Sequence, residues 1–109
     1  MFWNGYYYKN PWQMQNLKEF DQLVRDMDLQ LSWPNKELAP WHVQIRVGLH
    51  GIHPQTINAW PHLLKTYWSG HRGPRVGAVA MYETILEATD TAYEDVSLFE
   101  DEPNAAPVS

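Results

Sequence analysis

The sequence predicts a mainly α-helical domain of about four helices, and three observations carry that reading. Met14, Leu17, Phe20, Val24, Met27 and Leu31 recur every three or four residues, which is the spacing of one helical face. Val79, Tyr82, Leu86 and Tyr93, with Met81 and Ile85 beside them, repeat that interval near the end of the chain. Between the two, Gly51 and Pro54 fall where one helix would end and the next begin. The expected organisation is an aromatic N-terminal arm over 1–12, a helical domain over 13–93 and an acidic tail over 94–109. The alternative is an α+β fold with a strand over 41–50.

The arm reads "MFWNGYYYKNPW" and holds Phe2, Trp3, Tyr6, Tyr7, Tyr8 and Trp12. Asn4-Gly5 between two aromatic pairs is the favoured two-residue turn of a hairpin, because both turn positions need positive φ. Two strands this short are not stable alone, so the ribbon needs a surface to lie on. Pro11 closes it. A helix is then expected from about Gln13 to Leu31, with Leu23 widening the apolar stripe and Lys18, Glu19, Asp21, Gln22, Arg25, Asp26 and Asp28 elsewhere. Pro34 and Pro40 bracket a turn.

The stretch from Trp41 to Trp60 carries two conflicting signals. Trp41, Val43, Ile45, Val47 and Leu49 alternate with His42, Gln44, Arg46, Gly48 and His50, which is a strand pattern. Its ending, Leu49-His50-Gly51-Ile52-His53-Pro54, has the layout of a helix C-terminus followed by a proline-initiated helix, and this tips the expectation to helix. Pro61 opens a further short helix, "PHLLKTYW", stopped by Ser69-Gly70. "SGHRGPRVG" is a basic loop, and a last helix is expected from about Arg75 to Ala92.

The chain of 109 residues is one domain's worth and contains no cysteine, so a disulfide framework, a thiolate zinc site and a cysteine nucleophile are all excluded. No apolar run approaches the roughly 20 residues that span a bilayer, and the N-terminus lacks a signal-peptide layout. The expectation is a cytoplasmic protein, or a virion component if it derives from a phage, without a membrane partner. Net charge is −5, but it is unevenly laid out. Residues 1–76 hold eight Lys/Arg against five Asp/Glu, while 77–109 hold eight Asp/Glu and no Lys/Arg. From Glu37 to Glu83 there is no carboxylate between, and all five histidines fall in that interval.

Chemistry-bearing patterns are sparse. His50-x-x-His53 has a ligand-like spacing, but with no cysteine and no carboxylate nearby the sequence offers neither a mixed ligand set nor a second-shell partner, so no metal is expected. Nucleotide-binding glycine loops, nucleophile elbows and zinc-protease motifs are all missing. No catalytic residue, cofactor or small-molecule substrate is therefore expected.

"GIHPQTINAW" looks like the turn and recognition helix of a helix-turn-helix, with Gly51 at the turn, Ile57 buried and Trp60 closing onto the core. That resemblance implies that Gln55, Thr56 and Asn58 face DNA bases, while Lys65, Arg72 and Arg75, with Arg46, meet phosphates. Pro61 cuts such a helix short, and the acidic total opposes binding to a polyanion.

The leading expectation is a non-catalytic structural or adaptor subunit of a larger assembly, by analogy of size and layout a bacteriophage virion or virion-assembly protein. Its partners would be protein subunits, identical or different. Phe2, Trp3, Tyr6, Tyr7, Tyr8 and Trp12 would provide aromatic anchors. Arg72 and Arg75 would face the acidic run Glu100, Asp101 and Glu102 of a neighbour. A helix-turn-helix regulator binding DNA is the alternative. The third reading is an inhibitor that mimics nucleic acid with its acidic C-terminal third.

Overall fold

Residues 43–60, expected as two helices meeting at Gly51, form two antiparallel strands in the computed structural model, which describes residues 1–94. Among the described residues the fold is α+β, with two helices and seven strands in two antiparallel sheets, about 37% helix and 24% strand. The mainly α expectation with four helices is thereby overturned, and the alternative with a strand inside 41–50 describes this region correctly.

Hairpin β1 (Phe2–Trp3) and β2 (Tyr6–Tyr7) pairs Phe2 with Tyr7 and Trp3 with Tyr6. Its turn is the expected one, with Asn4 at φ 52° and Gly5 at φ 84°. Helix α1 (Pro11–Met27) begins on a proline at its first turn and ends at Asp28, which takes a left-handed conformation and returns its N–H to the Val24 carbonyl. The helix is shorter than the apolar stripe implied. Leu31 belongs instead to β3 (Gln30–Ser32), where it faces Ile45.

The main sheet is a meander of β3, β4 (Val43–Val47), β5 (Gln55–Trp60), β6 (Lys65–Tyr67) and β7 (Arg75–Val76), neighbours in space as in sequence. Val43, Ile45 and Val47 point to one face and are buried, while Gln44 and Arg46 point to the other. This period of two outweighed the helix-like ending because in a helix Ile45, two residues from both Val43 and Val47, would point to the side opposite them. The glycine signal also had a different meaning. Gly48, at φ 66°, makes the bend, and Gly51 donates its N–H to the Gly48 carbonyl at 2.9 Å.

The short helix expected after Pro61 is one 3-10 turn, Pro61–Leu63, closed by Leu64 at φ 49°. The chain then reverses into β6. Helix α2 (Ala78–Ala92) starts three residues later than expected, because Arg75 and Val76 pair with Thr66 and Lys65 as the edge strand. Both helices cover the same side of the sheet. Phe20 from α1 and Met81, Ile85 and Ala88 from α2 meet Val43, Ile45, Val47, Ile57 and Ala59 in one core with Leu64 and Trp68. Each large apolar side chain buried there contributes roughly 1.5–3 kcal/mol. Among the described residues the opposite side of the sheet carries no helix, as in antiparallel sheets with one solvated face.

Candidate functional site

Three surfaces hold the residues that the sequence marks for recognition. The first is the N-terminal hairpin, which divides its rings between inside and outside. Trp3 packs edge-on against Phe20, with centroids 5.9 Å apart, and its indole donates to Asp21 Oδ1 at 3.0 Å. Tyr8 is 3% exposed. Asn4 Nδ2 donates to the Pro40 carbonyl at 3.0 Å, and the terminal ammonium to the Tyr8 carbonyl at 3.0 Å. Phe2, Tyr6, Tyr7 and Trp12 remain exposed, and Phe2 lies on Tyr7 at 5.0 Å.

Between this hairpin and the start of α1 lies a cleft of about 460 Å³ lined by Tyr6, Tyr7, Tyr8, Lys9, Asn10, Gln13, Trp41 and His62. Two of its lining residues carry buried polar atoms without a partner among the described residues, the Tyr8 hydroxyl and His62 Nδ1. Leaving such an atom unpaired costs about 1–3 kcal/mol. Burial pushes the Tyr8 hydroxyl up from its ordinary range, with the nearby Tyr6 adding to it, and burial lowers His62, so both groups are neutral near pH 7. The cleft is thus an aromatic recess with two buried, uncharged and unpaired polar atoms behind its lining.

The second surface is the outer face of the sheet. The register places Gln30, Arg46 and Thr56 in one cross-strand row and Ser32, Gln44, Asn58 and Tyr67 in the next. Trp60, Lys65 and Val76 make a third row, joined by His42 at the start of β4. His42 stacks on Trp60 with centroids 5.0 Å apart and planes 14° from parallel. Lys65 Nζ lies 5.4 Å from the centre of the Trp60 ring system. Asn58 Oδ1 accepts from Gln44 Nε2 at 3.3 Å and is 2.9 Å from His42 Nε2. No carboxylate belongs to any of these rows.

The third surface is where the 68–74 loop meets α2. Glu87 Oε1 is 2.8 Å from His71 Nε2, and its Oε2 is 3.7 Å from Arg75. The hydrogen bond from His71, together with the charges of His71 and Arg75, holds the Glu87 carboxyl below the usual range against a smaller opposing effect of desolvation. Arg75 therefore already faces a carboxylate of its own chain, whereas Arg72 is exposed. The acidic run Glu100, Asp101 and Glu102, expected to meet these arginines in a neighbour, lies outside the described residues.

The recognition helix implied by the helix-turn-helix resemblance does not form, since Gln55, Thr56 and Asn58 lie on strand β5 and alternate between its faces. Gln55 turns inward and accepts the Trp68 indole N–H at 2.9 Å. Thr56, Asn58 and Lys65 share the outer face, and Arg75 is on the helix side. His42, Gln44, Arg46, Trp60 and Tyr67 complete that outer face, a grouping that treating 41–60 as helices concealed. The alternation over 41–50 and the carboxylate-free interval from Glu37 to Glu83 are the sequence signals for it.

Among the described residues no group of three or more His, Cys, Asp or Glu side chains is placed to hold a metal ion, and no helix is long and apolar enough to cross a membrane. No protein-family model matches the sequence, and neither a curated protein nor a solved structure is similar to it.

Proposed function

We propose that the protein is a non-catalytic adaptor subunit of a protein assembly and docks a partner chain through the exposed aromatic surface of its N-terminal hairpin. The observation that supports this reading is the division of labour among the rings. Trp3 and Tyr8 fix the hairpin to the domain, while Phe2, Tyr6 and Tyr7 stay exposed beside a recess behind whose lining lie unpaired Tyr8 and His62 atoms. Rings held in place before binding lose little conformational freedom on contact, and large rings at a recess are the usual energetic anchors of interfaces. By analogy of size and layout, the assembly is of the kind found in bacteriophage virions.

The test keeps Trp3 and Tyr8 and changes the exposed pair, Phe2→Ser with Tyr7→Ser. A photo-crosslinking amino acid at position 6 of the full chain should capture one discrete protein species, either a second copy or a different subunit. The double variant should retain its circular dichroism and lose the crosslink. A wild-type chain that sediments as a monomer and yields no discrete crosslinked product would overturn the proposal.

A further inference from the structure

We infer that the outer face of the five-stranded sheet binds single-stranded nucleic acid, a surface separate from the hairpin that docks the protein partner. The inference starts from charge. Nine carboxylates fall within residues 1–94, and they lie on α1, on α2 or in the segments beside them and before β4. None occupies an outward position on the five strands, which instead present Arg46 and Lys65, with His42 just before β4; Arg46 also borders a cleft that Asp26 and Asp28 line. From a strand spacing of about 4.8 Å and a rise of about 3.3 Å per residue, the two cations are attached roughly 16 Å apart on a diagonal across β4, β5 and β6. Among the described residues, the outward positions of the five strands thus carry no carboxylate and are spanned by two cationic side chains. That fits a flexible polyanion laid across the strands.

The chemistry between the cations selects the kind of polyanion. The stacked pair His42 and Trp60 and the exposed ring of Tyr67 lie along this diagonal's middle and far rows. Aromatic side chains flanked by cations are the platform on which unpaired bases stack. Lys65 lies over Trp60, and its four-carbon stem allows it to move onto a phosphate as a base reaches the ring. The amides supply the polar edge. Because Asn58 Oδ1 is taken by Gln44 and His42, Asn58 Nδ2 and Gln44 Oε1 lack a partner among the described residues and place a donor group and an acceptor on neighbouring strands, the complement of a base edge. A duplex buries its base faces in its own stack, so this surface should prefer a single strand.

Fluorescence anisotropy of the full chain with a labelled oligothymidylate, the matching oligouridylate and a duplex of equal length tests this. The expected result is binding to the single strands at low salt, weaker binding to the duplex, and a log–log salt slope near −1.4 for two phosphate contacts. Tyr67→Ala, at an exposed position, should weaken binding about 5- to 100-fold with unchanged circular dichroism. Arg46→Glu and Lys65→Glu should each reduce both affinity and salt slope. Trp60→Ala should also weaken binding, whereas Trp60→Phe should retain the fold and most of the stacking, which separates loss of the ring from unfolding. Three outcomes overturn the inference: no single-strand binding at low salt, duplex or heparin bound as tightly as single strands, or affinity indifferent to Tyr67→Ala. Loss of the hairpin crosslink in Phe2→Ser with Tyr7→Ser should leave this binding intact.

Discussion

The indole N–H of Trp3 donates to Asp21 Oδ1 at 3.0 Å, joining the hairpin of the first eight residues to the middle of α1. The same ring meets Phe20 edge-on and lies 6.4 Å from Trp33. One residue thus ties the terminus to both the helix and the start of the loop after β3. Hydrogen bonds to charged groups and edge-on aromatic contacts are each worth about 1–2 kcal/mol. Trp3→Phe keeps much of the packing and loses the donor, so it should destabilise the protein by about 1–2 kcal/mol in urea unfolding. Asp21→Asn keeps an acceptor and should cost less. A double variant no worse than Trp3→Phe alone would confirm that the two changes act on one bond.

The connection from β4 to β5 rests on the end of α2. Gly48 has φ 66°, and a Cβ there would collide with Ala92. His53 donates its N–H to the Ala92 carbonyl at 3.0 Å. Gly48→Ala should therefore cost about 2–4 kcal/mol, combining backbone strain with overpacking. Gly73→Ala, where a Cβ meets nothing within 4 Å and φ is not positive, should be near neutral in the same thermal melts.

Glu87 tethers the 68–74 loop through His71 and Arg75. Its carboxyl is held below the ordinary glutamate value first by the His71 hydrogen bond and then by the two positive neighbours. A group lowered in this way stabilises the fold above its unfolded-state pKa, and that contribution disappears as pH falls through the folded-state value. Glu87→Gln should flatten this acid-limb loss and speed amide exchange of the loop near Arg75. Equal exchange in the two proteins would show that the contact does not hold the loop.

His62 titrates in a different window. Burial lowers it below the ordinary histidine value of about 6.5. The unfolded chain therefore takes up a proton at a higher pH than the folded one does. Stability from the neutral ring is complete above about pH 6.5 and is lost as pH falls through the lowered folded value. In His62→Phe, which also removes the unpaired Nδ1, this part of the pH dependence should vanish. The measurement is the difference in unfolding free energy between the two proteins from pH 7.5 to 5.

The sequence alone determined the elements whose signals are local. Asn4-Gly5 specified a hairpin because few residue pairs accept two successive positive φ angles. Met14 to Met27 specified α1 through a stripe that only a helix brings onto one side. The helical spacing of Val79, Tyr82, Leu86 and Tyr93 specified α2, but all four are exposed and the buried face is Met81, Thr84, Ile85, Ala88 and Ala92. Tertiary structure decided the middle of the chain. Val43, Ile45 and Val47 alternate in a way that is meaningful only if a neighbouring strand receives Ile45, and that neighbour, Ile57, stands in a segment whose own pattern is diluted by Ala59 and by the proline on either side. Gly51 looked like a helix cap because Gly-x-x-Pro carries the same local chemistry in a strand-to-strand turn as in a helix-to-helix corner. The sorting of rings was equally invisible in sequence. Trp3 and Tyr8 lie inside and Phe2 and Tyr7 outside because the hairpin settles on α1 and the Pro61 turn, and pleat direction follows from that docking and not from the residues themselves. The carboxylate-free interval between Glu37 and Glu83 was legible as composition. It became a face only when β4 to β7 brought its outward residues onto one surface.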